Sequence, residues 1–175
     1  MKLNQLGEDR LLAQLLPSLT SGKLVVAGAG DDCALVKPPA GLHFLVLKTD
    51  CVVEGIHFLT RANPVDVGWK AMMRPLSDLA ATSALPQFAL VTLIVSSQTT
   101  IRWVKEIYRG LSRAAARFDV NIVGGETSST RGPATISVSV SGLVERNRCV
   151  SRRGGKAGDH LFVTGRLGGS SRGSH

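Results

Sequence analysis

The sequence is poor in cysteine, poor in aromatic residues and free of long apolar runs. Its three cysteines, Cys33, Cys51 and Cys149, are odd in number and never stand in C-x-x-C spacing. That pattern argues against a disulfide framework and against a zinc site. They read as small, reduced, partly buried residues. No apolar stretch reaches the roughly 20 residues that a membrane helix needs. Met1 to Asp9 has no signal-peptide core, because Glu8 and Asp9 arrive too early. The cytoplasm is the expected compartment. Two Trp, one Tyr and five Phe are all the aromatics available to stack on bases. The G-x-x-x-x-G-K-[ST] phosphate loop is absent, as are the H-R-D and D-F-G motifs of protein kinases. If the chain binds ATP, another architecture does it.

What remains is the composition of a globular protein: 175 residues, 43% hydrophobic and 19% charged. That length supports one sizeable domain with its own core. The formal net charge is +8. The basic residues are dispersed, with a modest cluster at Arg146, Arg148, Arg152, Arg153 and Lys156. A solvated face or a site for an anionic small molecule accounts for the excess as well as nucleic acid does. Nucleic acid is therefore not an expected partner.

Leu11, Leu12, Leu15 and Leu16 share one face of a helix expected over Glu8 to Leu16, which Pro17 ends. Leu24 to Ala27 and Cys33 to Val36 are strand-like and flank the acidic turn Gly28-Ala29-Gly30-Asp31-Asp32. Leu42 to Leu47 is a buried strand with a polar end, Lys48-Thr49-Asp50. Val65 to Ala84 is helical, with Pro64 at an early position and Pro75 kinking or restarting the helix. Phe88 to Val95 is a strand. Thr99 or Thr100 caps a helix running to about Phe118. Asn121 to Val123 is a short strand opening onto Gly124-Gly125-Glu126-Thr127. Ala134, Ile136, Val138 and Val140 alternate with polar residues, which marks a half-buried strand. Leu161 to Thr164 is a last strand, followed by a glycine- and serine-rich tail. The polar strand faces predict an α+β fold with a mixed, largely antiparallel sheet and helices on one face. Residues 1–150 are expected to form one domain, and 151–175 the start of a truncated second one.

The acidic residues share a context. Asp31 and Asp32 follow a glycine turn, Asp50 ends an apolar strand, Asp78 starts a helical segment after Pro75, and Glu126 follows a double glycine. Singly, such acids are turn formers or caps. Together, acids from neighbouring strand ends can converge on one edge. Converging carboxylates need a cation, and hard oxygen ligands suit Mg²⁺. Gly124-Gly125 lets backbone N–H groups approach a phosphate.

Several segments then carry a resemblance. Gly30-Asp31-Asp32-Cys33-Ala34-Leu35 and Thr49-Asp50-Cys51-Val52-Val53-Glu54-Gly55-Ile56-His57-Phe58 resemble the start of thiamine-monophosphate kinases. Trp69-Lys70-Ala71, Leu76-Ser77-Asp78-Leu79-Ala80-Ala81, Gly124-Gly125-Glu126-Thr127, Arg152, Gly158-Asp159 and Val163 to Gly168 follow in the order of that family. Each motif is weak alone; in order and at matching spacing they cover nearly the whole chain. The wider superfamily includes aminoimidazole ribonucleotide synthetase. The resemblance implies two α+β domains per protein and a homodimer formed through the amino-terminal one. It implies ATP as co-substrate with Mg²⁺, and direct transfer of the γ-phosphoryl group to thiamine monophosphate.

By the same resemblance, Asp32, Thr49, Asp50, Asp78 and Glu126 are metal ligands, with Asp31 assisting. Tyr108, Gly125, Glu126 and Arg152 contact ATP, and His57 contacts the substrate. No catalytic nucleophile is implied. The blander roles stay open: Tyr108 packs its helix against the sheet, and Arg153 replaces Arg152. Three positions depart from the family's pattern. Glu126 stands where it has Asp, Lys48 where it has Thr or Ser, and Arg74-Pro75 where Val-Asn is common. Lys48 and Arg74 both add positive charge beside the metal position. These departures, with the short chain, keep two alternatives open: a divergent superfamily kinase and a non-catalytic dimerisation or nucleotide-binding module.

Overall fold

A computed structural model describes residues 23–27, 33–38, 41–163 and 165. Its elements run β1 (Val25–Ala27), β2 (Ala34–Val36), β3 (His43–Val53), α1 (Pro64–Ala81), β4 (Leu85–Val95), α2 (Ile101–Arg117), β5 (Asn121–Ser129) and β6 (Thr135–Glu145). The last strand, β6, is a central one, paired with β3 on one side and β4 on the other, and its period-two pattern divides its faces. Ile136, Val138, Val140 and Val144 are buried on one face, while Ser137, Ser139 and Ser141 take the other. The six strands are ordered β1-β2-β3-β6-β4-β5. All neighbours are antiparallel except β4 and β5. The mixed, largely antiparallel α+β sheet expected from the sequence is the one observed.

The topology explains why both helices lie on one face. β3, β4 and β5 all run in one direction, and β6 inserts between the first two in the opposite sense. The crossovers β3-α1-β4 and β4-α2-β5 step the same way along the sheet. Connections of one hand then place both helices on the same side. There Met72, Leu79, Ile107 and Leu111 pack on Val46, Val52, Val91, Leu93, Ile136 and Val138, all buried.

The helix starts follow their caps. Asn63 accepts a hydrogen bond from the Val65 N–H at 3.0 Å and Pro64 takes the first helical position. Asn63→Ala is expected to cost about 1 kcal/mol, and Asn63→Ser to restore most of it, read as the shift in urea midpoint. Thr100, rather than Thr99, caps α2 by accepting from the Trp103 N–H at 3.2 Å.

Four expectations change. The helix does not restart at Pro75: α1 is one element through it, and the proline is fully buried. Burial of the ring works against the lost hydrogen bond, whose cost in a helix interior is about 3 kcal/mol. Asp78 therefore lies in the last turn of α1, not at the start of a helix. β3 does not end near Asp50; it continues to Val53, because β6 pairs with it as far as Val53↔Thr135. β5 does not open into a loop at Gly124 but runs to Ser129 beside β4. A β-carbon at Gly125 would overlap the Val91 carbonyl, so glycine permits this ladder. Leu161 to Val163 form no strand and are exposed. They have no ladder partner among the described residues. The helix expected at Glu8 to Leu16, the acidic turn with Asp31 and Asp32, and most of the tail lie outside the described residues. No helix among the described residues is long and apolar enough to cross a membrane.

Candidate functional site

Two residues of β3 and two of α1 meet on the helix side of the sheet. Lys48 and Asp50 are two apart on a strand and share a face. Arg74 and Asp78 are four apart on a helix and share a face. The elements pair crosswise: Lys48 Nζ lies 2.5 Å from Asp78 Oδ2, and an Arg74 guanidinium nitrogen lies 3.0 Å from Asp50 Oδ1. The same Asp50 oxygen accepts the Cys51 N–H at 2.9 Å. All four side chains are about one-fifth to two-fifths exposed, so each bridge is partly screened. Arg74 Nε is buried and has no acceptor.

These contacts bear on the metal expected from the acidic residues. Among the described residues, no three His, Cys, Asp or Glu side chains gather to hold an ion. Asp50 is the eighth residue of β3 and Glu126 the sixth of β5, so neither stands at a strand end. The ladder Asp50↔Val138↔Val91↔Gly125 sets Glu126 three strands from Asp50, roughly 14 Å at ordinary strand spacing. Glu126 is also paired with Thr92, on the face of Ser137 rather than of Val138. Thr49 points to that opposite face too, where its hydroxyl accepts from Ser139 at 2.9 Å. One ion therefore cannot take the side chains of Thr49, Asp50 and Glu126 together. Asp50 and Asp78 do come together, but each already carries a cation of the chain. Among the described residues, Glu126 stays apart from Asp50 and Asp78 because it sits on another strand with its side chain on the other face of the sheet. Asp32 lies outside the described residues.

A second feature adjoins the far end of β3. Glu54 accepts the Ala134 N–H at 3.1 Å, and Gly55, at φ +77°, turns the chain. The N–H groups of Ile56 and His57 both donate to the Val53 carbonyl. This turn holds His57 over a cleft of about 640 Å³. Arg61, Asp66 and Lys70 also line it. His57 Nδ1 accepts the Val53 N–H at 3.1 Å, which leaves Nε2 as the hydrogen-bearing nitrogen available to a ligand. Lys70 donates to the His57 carbonyl at 2.5 Å. The cleft thus offers one imidazole and two cationic side chains against the single carboxylate of Asp66, a net positive lining suited to an anionic group. Lys70 and Arg61 received no role from the sequence. The segment Trp69-Lys70-Ala71, which carries part of the family resemblance, was the available sign for Lys70.

The remaining residues are dispersed. Tyr108 is half-buried on α2 against the core, which fits packing of its helix. Gly125 and Glu126 lie exposed on the edge strand β5. Arg152 lies in an exposed segment after β6. Neither Tyr108 nor Arg152 lines the His57 cleft.

Residues 30–144 match the family model described as AIR synthase related protein, N-terminal domain. The chain belongs to this AIR synthase related family. Among curated members of similar sequence, it is 38% identical to the thiamine-monophosphate kinase of Synechococcus elongatus, over 95% of this chain and 49% of that protein. It is 35% identical to the thiamine-monophosphate kinase of Bacillus subtilis, over 95% of this chain and 51% of that one. A solved structure described as AaThiL complexed with AMPPCP and TMP superimposes with a TM-score of 0.80 at 35% identity, covering 89% of this chain and 47% of that one. The chain spans about half the length of the relatives it matches.

Proposed function

We propose that this chain acts as the amino-terminal part of an ATP-dependent kinase that converts thiamine monophosphate to thiamine diphosphate. The observation that supports this most is the 0.80 TM-score, at 35% identity, to a structure holding AMPPCP and TMP. A terminal phosphate oxygen of the substrate attacks the γ-phosphorus of ATP, a P–O bond forms, and ADP leaves. Such transfer relies on positioning and charge neutralisation rather than on a covalent intermediate. His57, Arg61 and Lys70 receive the substrate phosphate at the cleft. Tyr108, Gly125, Glu126 and Arg152 contact the nucleotide. Mg²⁺ enters as the ion carried on the ATP phosphates. A homodimer through the open face of the sheet, a boundary near residue 150 and a cytoplasmic setting belong to the same reading.

Binding tests this without requiring turnover. Calorimetric titration with thiamine monophosphate, in the presence of an ATP analogue, is expected to saturate. His57→Ala is expected to weaken it about tenfold, near 1.4 kcal/mol. No heat with either ligand at millimolar concentration would sink the reading.

A further inference from the structure

Carboxylates from two elements that face each other attract one of two partners: a bound cation or cations of the chain. At Asp50 and Asp78 the chain supplies its own. Lys48 and Arg74 reach them crosswise from the partner element, at 2.5 Å and 3.0 Å. Two negative charges meet two positive ones, and the set is neutral as it stands. Here Asp50 Oδ1 already accepts from two groups, a backbone N–H and Arg74. Among the buried side-chain atoms of the described residues, the one left without a partner is a donor, Arg74 Nε.

We propose that Lys48 and Arg74 are built-in counter-cations that occupy, with side-chain charge, the place of a divalent ion between Asp50 and Asp78. The pair then takes no Mg²⁺. A doubly charged ion seated on these carboxylates would lie within a few ångström of an ammonium and a guanidinium, and would have to displace both. The reading concerns this carboxylate pair alone. It stands or falls apart from the kinase assignment, in which Mg²⁺ travels on the nucleotide.

Mn²⁺, a paramagnetic substitute for Mg²⁺, is the probe. Free Mn²⁺ is followed by electron paramagnetic resonance as the 175-residue chain is added without nucleotide. In the unaltered chain, any Mn²⁺ affinity is expected to be the same after Asp78→Asn. The double variant Lys48→Thr, Arg74→Val is expected to gain a site binding at least tenfold more tightly, and Asp78→Asn added to it is expected to abolish that site. An unaltered chain whose Mn²⁺ affinity drops tenfold on Asp78→Asn overturns the proposal. So does a folded double variant that gains nothing. Should circular dichroism show the double variant unfolded, Lys48→Thr alone leaves one free carboxylate and carries the same test.

Discussion

Gly110→Ala is expected to destabilise the chain although alanine is the better helix former. The two helices cross with their backbones in contact. A β-carbon at Gly110 would overlap the Val65 carbonyl and crowd the Trp69 amide at 2.8 Å, and one at Gly68 would overlap the Ile107 carbonyl. These neighbours are backbone, so no side chain can swing aside; the helices must separate. Separation loosens Ile107, Leu111 and Met72, which are fully buried. Overpacking of this kind costs up to about 3 kcal/mol. The gain in helix propensity from glycine to alanine is about 1 kcal/mol. The clash wins, with a net loss near 2 kcal/mol, and Gly68→Ala, Gly110→Ala together lose more. Against a total stability of about 5–15 kcal/mol, this is a large fraction. The urea midpoint is expected to fall by about 1 M for Gly110→Ala, taking a slope near 2 kcal/mol per M. Gly155→Ala, exposed and with nothing within 4 Å of the added carbon, is expected to change nothing. A Gly110→Ala protein as stable as the parent would show that the helices do not touch there.

That contact marks one limit of what the sequence discloses. Gly68 and Gly110 each sit inside a helical pattern and resemble ordinary weak points until two helices are seen to cross at them. The strand alternation of Ile136, Val138 and Val140 was legible, because one buried face imposes period two whatever the neighbours are. The helix starts at Pro64 and at Thr99 or Thr100 were legible for a local reason, since the first helical turn is set by nearby residues. Strand length was not local. β3 passes through Lys48, Thr49 and Asp50, which look like a polar end, because α1 supplies partners for two of them and Ser139 for the third. Residue type marks the acids, and Asp50 and Asp78 do meet, but Glu126 stands apart from them. Residue type says that Asp50, Asp78 and Glu126 can bind metal; register and face decide whether they meet, and both are set by long-range pairing. Lys48 and Arg74 stood out in the sequence as positive charge in an acidic neighbourhood. Their crosswise pairing required the fold.

Leu90→Asp is expected to convert the proposed homodimer into a monomer while leaving the His57 cleft intact. The helices cover one face of the sheet, and the other carries Leu47, Phe88, Leu90 and Val123, each 42% to 58% exposed. They line a shallow cavity of about 530 Å³ with Ser139 and Ser141. Apolar residues grouped on one face are favoured at contacts between proteins. In a two-fold dimer the same patch meets itself, so one substitution places two carboxylates in the interface. The dissociation constant is expected to rise at least a hundredfold, near 2.7 kcal/mol. Because Leu90 is half exposed in the single chain, the fold should survive, which circular dichroism checks. The His57 cleft is built from the turn after β3 and from α1, so under the proposed function the variant and the unaltered chain are expected to bind thiamine monophosphate equally. Sedimentation of the unaltered chain as a monomer at about 100 µM, a concentration that populates complexes far weaker than 1 µM, would remove the dimer from the reading. A Leu90→Asp protein that stays dimeric would instead move the interface to another face. Loss of dimer together with loss of ligand would mean that the two faces of this sheet are not independent, and that the cleft is completed only when two copies meet.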